Sequence, residues 1–140
     1  MRVLLTLALI SLAGAAPAQT VFDALHGQYG SAADPETSCA ANPHQLDFMA
    51  TPPHALFIWA NPRLDGQGQM SIEERYDLLG YDATTLTLRL EGDMRLTADG
   101  HHPVWILRLT HDPQGYCWGR TDWPSLRCER QQLRCDSSTS

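Results

Sequence analysis

The chain reads as an all-β protein, an antiparallel meander of about seven or eight short strands that closes into a small barrel. Period-two alternation recurs along it, most cleanly where Leu86, Leu88 and Leu90 oppose Thr85, Thr87 and Arg89. Turn signals punctuate the alternating runs: Pro52-Pro53, Asn61-Pro62, Asp65-Gly66, Gly92-Asp93, Asp99-Gly100 and Asp112-Pro113-Gln114-Gly115. No long amphipathic helix is available to cover an open sheet, and a meander of this size removes its exposed edges best by closing on itself. A two-sheet β-sandwich is the alternative.

The elements follow in order. Residues 20–30 predict a short helical turn with Thr20 as N-cap, Phe22, Leu25 and Tyr29 on one face, and Gly27 ending it. A polar loop over 31–44 carries Cys39 as its staple. Leu46, Phe48 and Ala50 then alternate. Ala55, Phe57 and Trp59 alternate against Leu56 and Ile58, which predicts a strand buried on both faces. Ile72, Glu74, Tyr76 and Leu78 oppose Glu73, Arg75 and Asp77. After the Leu86 strand, Met94 and Leu96 lead into Asp99-Gly100, a strong hairpin signal. Strands are expected at 104–109, at 116–120 and, last, at 126–133.

The N-terminus predicts export. Arg2 precedes an uncharged run from Val3 to Ala16 that is too short to be a good membrane span, and Ala16-Pro17-Ala18 has the A-x-A form read by signal peptidases. Leu12-Ala13-Gly14 resembles the start of a lipoprotein box, but Ala15 stands where the lipidated cysteine would be, so no membrane anchor is expected. The expected organisation is a signal peptide over 1–18, one barrel domain over 19–135 and a disordered tail over 136–140, in a periplasmic or secreted monomer. Four cysteines, Cys39, Cys117, Cys128 and Cys135, then read as a disulfide framework. Two hairpin pairings are open. Cys117 with Cys128 forces Cys39 with Cys135; Cys128 with Cys135 forces Cys39 with Cys117. Either ties the early loop to the last strands.

Every cation is arginine, and 10 of them face 16 acids for a net charge of −6, which argues against non-specific nucleic-acid binding. No G-x-S-x-G elbow, H-E-x-x-H or phosphate-cradling glycine loop is present, so no catalytic residue and no cofactor is expected. The cysteines lack C-x-x-C spacing, so no metal site is expected of them. His101-His102 and His111 could approach one another across a hairpin, but neighbouring strand residues face opposite sides, and exposed turn histidines are the plainer reading.

Two short motifs carry a resemblance. Gly27-Gln28-Tyr29 after the helical turn resembles the G-x-W segment of lipocalin-type barrels, with Tyr in place of Trp. Far downstream, Thr121-Asp122-Trp123 resembles the T-D-Y of the same family. The resemblance implies a small lipocalin-like barrel. Around the Tyr116 to Pro124 block, the whole-chain pattern also resembles small secreted bacterial proteins of unknown function, which implies export and no activity.

The candidate binding residues are Arg120, Asp122, Trp123, Trp105 and Trp59. Arg120 to Pro124 is the densest polar and aromatic constellation; Arg120 can pair with Asp122 or stack on a Trp face, and Trp123 with Arg120 would border a ligand mouth or a partner surface. Trp59, Trp105 and Trp118 lie within strands, where they either pack the core or line a cavity. The expected function is a binding module for a small apolar or amphipathic ligand. The alternative is an interaction or inhibitor protein that meets an envelope partner through exposed loops. The first predicts a continuous apolar cavity; the second predicts a filled core and an exposed aromatic–arginine patch.

Overall fold

A computed structural model describes residues 19–124 and 127–136. The expected signal segment over 1–18, most of the expected tail, and Ser125 with Leu126 lie outside these residues.

Eight strands close into one antiparallel barrel in sequence order. They are β1 (Gly27–Ser31), β2 (His44–Ala50), β3 (Pro53–Leu64), β4 (Met70–Tyr81), β5 (Thr85–Leu90), β6 (Trp105–Thr110), β7 (Gly115–Arg120) and β8 (Glu129–Arg134). β8 returns to β1 through Tyr29 opposite Arg134, Gly30 opposite Leu133 and Ser31 opposite Gln132. The sandwich alternative is thereby excluded.

Alternation decides which side chains go inside. Leu46, Ala55, Phe57, Tyr76, Leu86, Leu88, Leu90, Trp105, Leu107 and Tyr116 form the buried core. Their strand neighbours point outward, where Arg89 meets Asp77 at 3.4 Å and Arg75 meets Glu91 at 3.0 Å. β3 corrects one expectation. Its Ala55, Phe57 and Trp59 face is buried, whereas Leu56 and Ile58 are only half-buried, because among the described residues nothing covers the outer side of the barrel there.

A short helix, α1 (Val21–Leu25), closes one end. Thr20 caps it in a reciprocal capping box with Asp23, and Val21 and Leu25 insert into the barrel floor. Tyr29 does not continue the helical face as expected. The helix stops at Leu25, Gly27 takes φ 148°, and Tyr29 belongs to β1 with its hydroxyl donating back to the Leu25 carbonyl at 2.8 Å. From the other side Arg134 donates to the carbonyls of Ala24 (3.0 Å) and His26 (2.7 Å), with its guanidinium 5.8 Å from the Tyr29 ring centre. The floor is thus an apolar plug held by charge-assisted bonds to carbonyls at the end of the helix.

Connections differ between the two ends. The floor has tight turns at 51–52, 82–84 and 111–114, while the other end carries the longer connections 32–43, 65–69 and 91–104 and the residues 121–124 that follow β7. The hairpin expected after Leu96 is not part of the sheet. Residues 91–104 form no strand; Asp99-Gly100 makes a local turn closed by Thr97 and His101, and Met94 and Leu96 are exposed. The last strand runs over Glu129–Arg134, and its expected start at Leu126 lies outside the described residues.

Both disulfides are formed: Cys117–Cys128 within the β7–β8 hairpin, and Cys39–Cys135 across 96 residues of sequence. The 32–43 connection folds back over the outside of β1, where a side chain at Gly30 would collide with the backbone of Cys39. A one-turn 3₁₀ helix, Pro35–Thr37, capped by Asp34, shapes this loop. Among the described residues, no helix is long and apolar enough to cross a membrane.

Candidate functional site

The half of the barrel away from α1 is not filled. A cavity of about 400 Å³ lies there, walled by Phe57, Trp59, Tyr76, Trp105, Tyr116 and Trp118. A second, shallower hollow shares Gly66, Glu74 and Leu90 with it, so the space also reaches sideways between the β3–β4 turn and the end of β5. The wall is a connected aromatic set. Phe57 lies 5.1 Å from Tyr76 and 5.6 Å from Trp118 between ring centres, and Trp118 lies 5.9 Å from Trp105. Such offset and edge-on contacts hold the rings in fixed places and leave a shaped space between them.

Polar groups enter this wall on the inward face of the strands. His44 opens β2 and lies directly opposite Trp59 on β3, with their ring centres 4.5 Å apart. Burial, reinforced by the Arg63 charge, holds the His44 pKa down at about 3, so the ring is neutral at physiological pH. Its Nε2 lies 2.5 Å from the Tyr116 hydroxyl, and burial raises the Tyr116 pKa and keeps that phenol protonated. Hydrogen-bond accounting assigns the tautomer. If the phenol donates to Nε2, both groups are satisfied there and Nδ1 carries the ring proton; the opposite arrangement would orphan the phenol proton as well. His44 Nδ1 is then a buried donor with no partner among the described residues.

Three further buried polar atoms on cavity-lining side chains also have no partner among the described residues: Trp59 Nε1, Trp105 Nε1 and Gln132 Oε1. Gln132 uses its amide nitrogen on the Arg130 carbonyl at 2.9 Å, which leaves its oxygen free. Buried polar atoms without partners are uncommon in native proteins and call for an explanation.

Charged residues ring the upper part of the cavity. The pairing of β3 with β4 shifts register between Ile58 and Arg63, with Pro62 in the irregular stretch, and Asn42 and Asn61 pin it by exchanging bonds of 2.7 and 3.1 Å. Beyond it Arg63 lies 4.2 Å from the Trp59 ring centre and 3.6 Å from Glu74. Glu74 shares the inward face of β4 with Tyr76. Burial raises its pKa, partly offset by Arg63. Arg95, from the 91–104 connection, makes a two-pronged pair with the buried Asp93 at 2.8 Å and lies 5.3 Å from the Trp105 ring centre. Burial alone would raise the Asp93 pKa, but the Arg95 bonds outweigh it and hold it below the usual range. Arg130 also lines the cavity, with φ 50° at the place where β8 slips register against β7. That left-handed conformation costs a side-chain-bearing residue about 1 kcal/mol or more, and strain of this kind concentrates at functional sites.

The residues expected from sequence divide between two places. Trp59 and Trp105 line the cavity. Arg120, Asp122 and Trp123 form a group at the rim: Arg120 makes a two-pronged pair with Asp122 at 2.9 Å, and its guanidinium lies 5.2 Å from Trp105 and 5.8 Å from Trp123. Trp105 is the link, touching the cavity on one side and the Arg120 group on the other. Trp123 is half-buried against the core, so the group is more a buttress of the rim than an exposed patch. Among the described residues, no three His, Cys, Asp or Glu side chains converge as a metal set, His101, His102 and His111 included.

His44, Arg63, Glu74, Arg95, Tyr116 and Gln132 were not among the binding residues expected from sequence. A signal existed for two of them. His44 is in phase with Leu46 and Phe48, and Glu74 is in phase with Tyr76 and Leu78, so each places a polar group on the apolar side of an alternating strand. No family model, no curated protein and no solved structure matches the chain.

Proposed function

We propose that this chain is an exported, lipocalin-like binding module that holds one small amphipathic molecule in the open half of its barrel. The observation that carries the reading is the unfilled aromatic cavity of about 400 Å³ with buried polar atoms that lack partners. A volume of this order lies within the range of small-molecule sites, and the mixture of aromatic wall and a few polar groups is what such sites use. A polar ligand atom, or ordered water in its place, would satisfy groups that otherwise weaken the fold. Export is supported by the A-x-A segment at Ala16-Pro17-Ala18 and by two disulfides that join all four cysteines.

Trp59, Trp105 and Trp118 all line the cavity, so tryptophan emission reports on its contents. Titration with 1-anilinonaphthalene-8-sulfonate should quench that emission with one-to-one saturation. Leu90→Trp, which places an indole in the cavity, should abolish the effect while the protein stays folded. Linear, unsaturable quenching that is the same in both proteins would remove the reading.

A second reading, an interaction protein that meets an envelope partner through its rim loops, draws on a different observation. Leu64 and Met70 are paired across the β3–β4 hairpin and are 62% and 66% exposed, and Met94 and Leu96 are exposed on the 91–104 connection that touches this hairpin through Gln67 and Gly92. A protein retained with the chain through co-purification, and lost on Leu64→Ser with Met70→Ser, would favour it.

A further inference from the structure

We infer that the cavity selects an acidic ligand, whose carboxylate is received at the corner made by His44, Trp59 and Arg63 and whose aromatic or conjugated body lies against Phe57, Tyr76 and Trp118. This assignment rests on the cavity-binding reading and deepens it. Hydrogen-bond polarity at the cavity favours an acceptor-rich ligand. Among the described residues, four cavity-lining side chains carry a buried polar atom without a partner; three of these atoms are N–H donors once the His44 tautomer is assigned, and Gln132 Oε1 is the acceptor. Two of the donors, on His44 and Trp59, sit on directly opposed residues of β2 and β3. The Arg63 guanidinium stacks 4.2 Å from the Trp59 ring centre, which adds a third donor group and a positive charge to the same corner. A ligand rich in acceptor oxygens would satisfy this corner; an amine would leave its donors unpaired.

The acidic groups nearby compete weakly. Glu74 lies 3.6 Å from Arg63, beyond good hydrogen-bond length, so a ligand carboxylate can take the guanidinium edge that Glu74 holds poorly. Asp34 spends its oxygens on the Glu36 amide and the Thr37 hydroxyl, both at 2.9 Å. Asp93 is bound on both oxygens by Arg95. Among the described residues, Arg130 lines the cavity without an ion-pair partner and adds uncompensated positive charge. The rings of Phe57, Tyr76 and Trp118 offer flat apolar surface within reach of this corner, which suits a rigid planar body better than a flexible chain.

Three probes of similar shape and different charge test the assignment by isothermal titration calorimetry at pH 7: 1-naphthaleneacetate, the neutral 1-naphthaleneacetamide, and the cationic 2-(1-naphthyl)ethylamine. The acid should bind at least about tenfold more tightly than either of the others, as expected for a charge-assisted bond in a shielded site. Arg63→Gln should bring the acid to within about threefold of the amide, and Glu74→Gln should tighten the acid, since it removes the competitor for Arg63. Both residues keep an exposed edge, so neither change empties the core. A tighter amine, with loss of amine binding on Glu74→Gln, would overturn the assignment in favour of a cation site. Equal binding of acid and amide would overturn it in favour of a charge-blind cavity; either result would leave the binding-module reading standing. No heat with any probe, from protein shown folded by near-ultraviolet circular dichroism, would remove the binding-module reading and the acidic-ligand assignment together.

Discussion

Acid should destabilise this barrel in part through one buried imidazole, whose share can be isolated. His44 is buried at 1% exposure, with its pKa held at about 3 instead of the ordinary 6.5. In the unfolded chain it takes up a proton below pH 6.5; in the folded chain it does not until about pH 3. Between those values the unfolded state binds more protons, so stability is fully present above pH 6.5 and falls as pH drops towards 3, at up to about 1.4 kcal/mol per pH unit. At pH 5 the loss amounts to about 2 kcal/mol, and the full window is worth about 4 to 5 kcal/mol. His44→Phe removes this contribution. It also strands the Tyr116 hydroxyl, so the variant starts from lower stability at pH 7.5 by about 1–3 kcal/mol. The decisive quantity is therefore the change with pH and not the absolute value. Urea denaturation of both proteins at half-unit steps from pH 7.5 to 4.5 supplies it, because groups common to both cancel in the difference. Free-energy curves that converge by about 2 kcal/mol between pH 7.5 and 5 are expected. Parallel curves would show that His44 titrates normally in the folded barrel, and the account of it as a neutral buried donor would fail.

Three further outcomes follow from the packing. Replacing Cys39 and Cys135 together by Ser should lower stability by about 4–5 kcal/mol, against about 3 kcal/mol for Cys117 with Cys128, because the first bond closes a loop of 96 residues and the second one of 11; denaturation midpoints under non-reducing conditions measure the ratio. Arg134→Met should cost about 2–3 kcal/mol through loss of its two carbonyl bonds and its place over Tyr29, with hydrogen exchange rising first at Leu25 and His26. Gly30→Ala should displace the 32–43 connection and destabilise by more than 2 kcal/mol, since its methyl group has the Cys39 backbone in its way; unchanged thermal stability would contradict the close approach.

The strands whose inward residues are all apolar were readable in advance, as were the cavity tryptophans Trp59 and Trp105, and the polar part of the cavity was not, for one physical reason. Leu86, Leu88 and Leu90 announce a half-buried strand because every second residue is apolar, and the barrel obliges. The cavity instead depends on polar residues at inward positions: His44 and Gln132 look solvent-facing to any rule that equates polarity with exposure. Arg63 and Arg130 reach the cavity beside register shifts, which period-two counting cannot anticipate because a slip in pairing reassigns the faces. The 91–104 segment misled for another reason. Asp99-Gly100 does turn the chain, but Met94 and Leu96 find no partner strand, so the local signal was right and the element inferred around it was not. Of the two cysteine pairings left open, the β7–β8 hairpin brings Cys117 to Cys128, and the long pairing follows.

The place where the last strand meets the first has a kinetic meaning. A closed meander can come apart by unzipping where its two terminal strands join, and here that join is short, from Tyr29 opposite Arg134 to Ser31 opposite Gln132. The Cys39–Cys135 bond rivets the folded-back loop across this join, with the Cys135 amide also donating to the Gln28 carbonyl at 2.8 Å. Lateral splitting is thereby closed as an exit for anything held inside. The residence time of a bound molecule should be set by motion of Arg63, Arg95 and the 91–104 connection at the open end. Reducing the bond should then shorten that residence time even under conditions where the barrel remains folded.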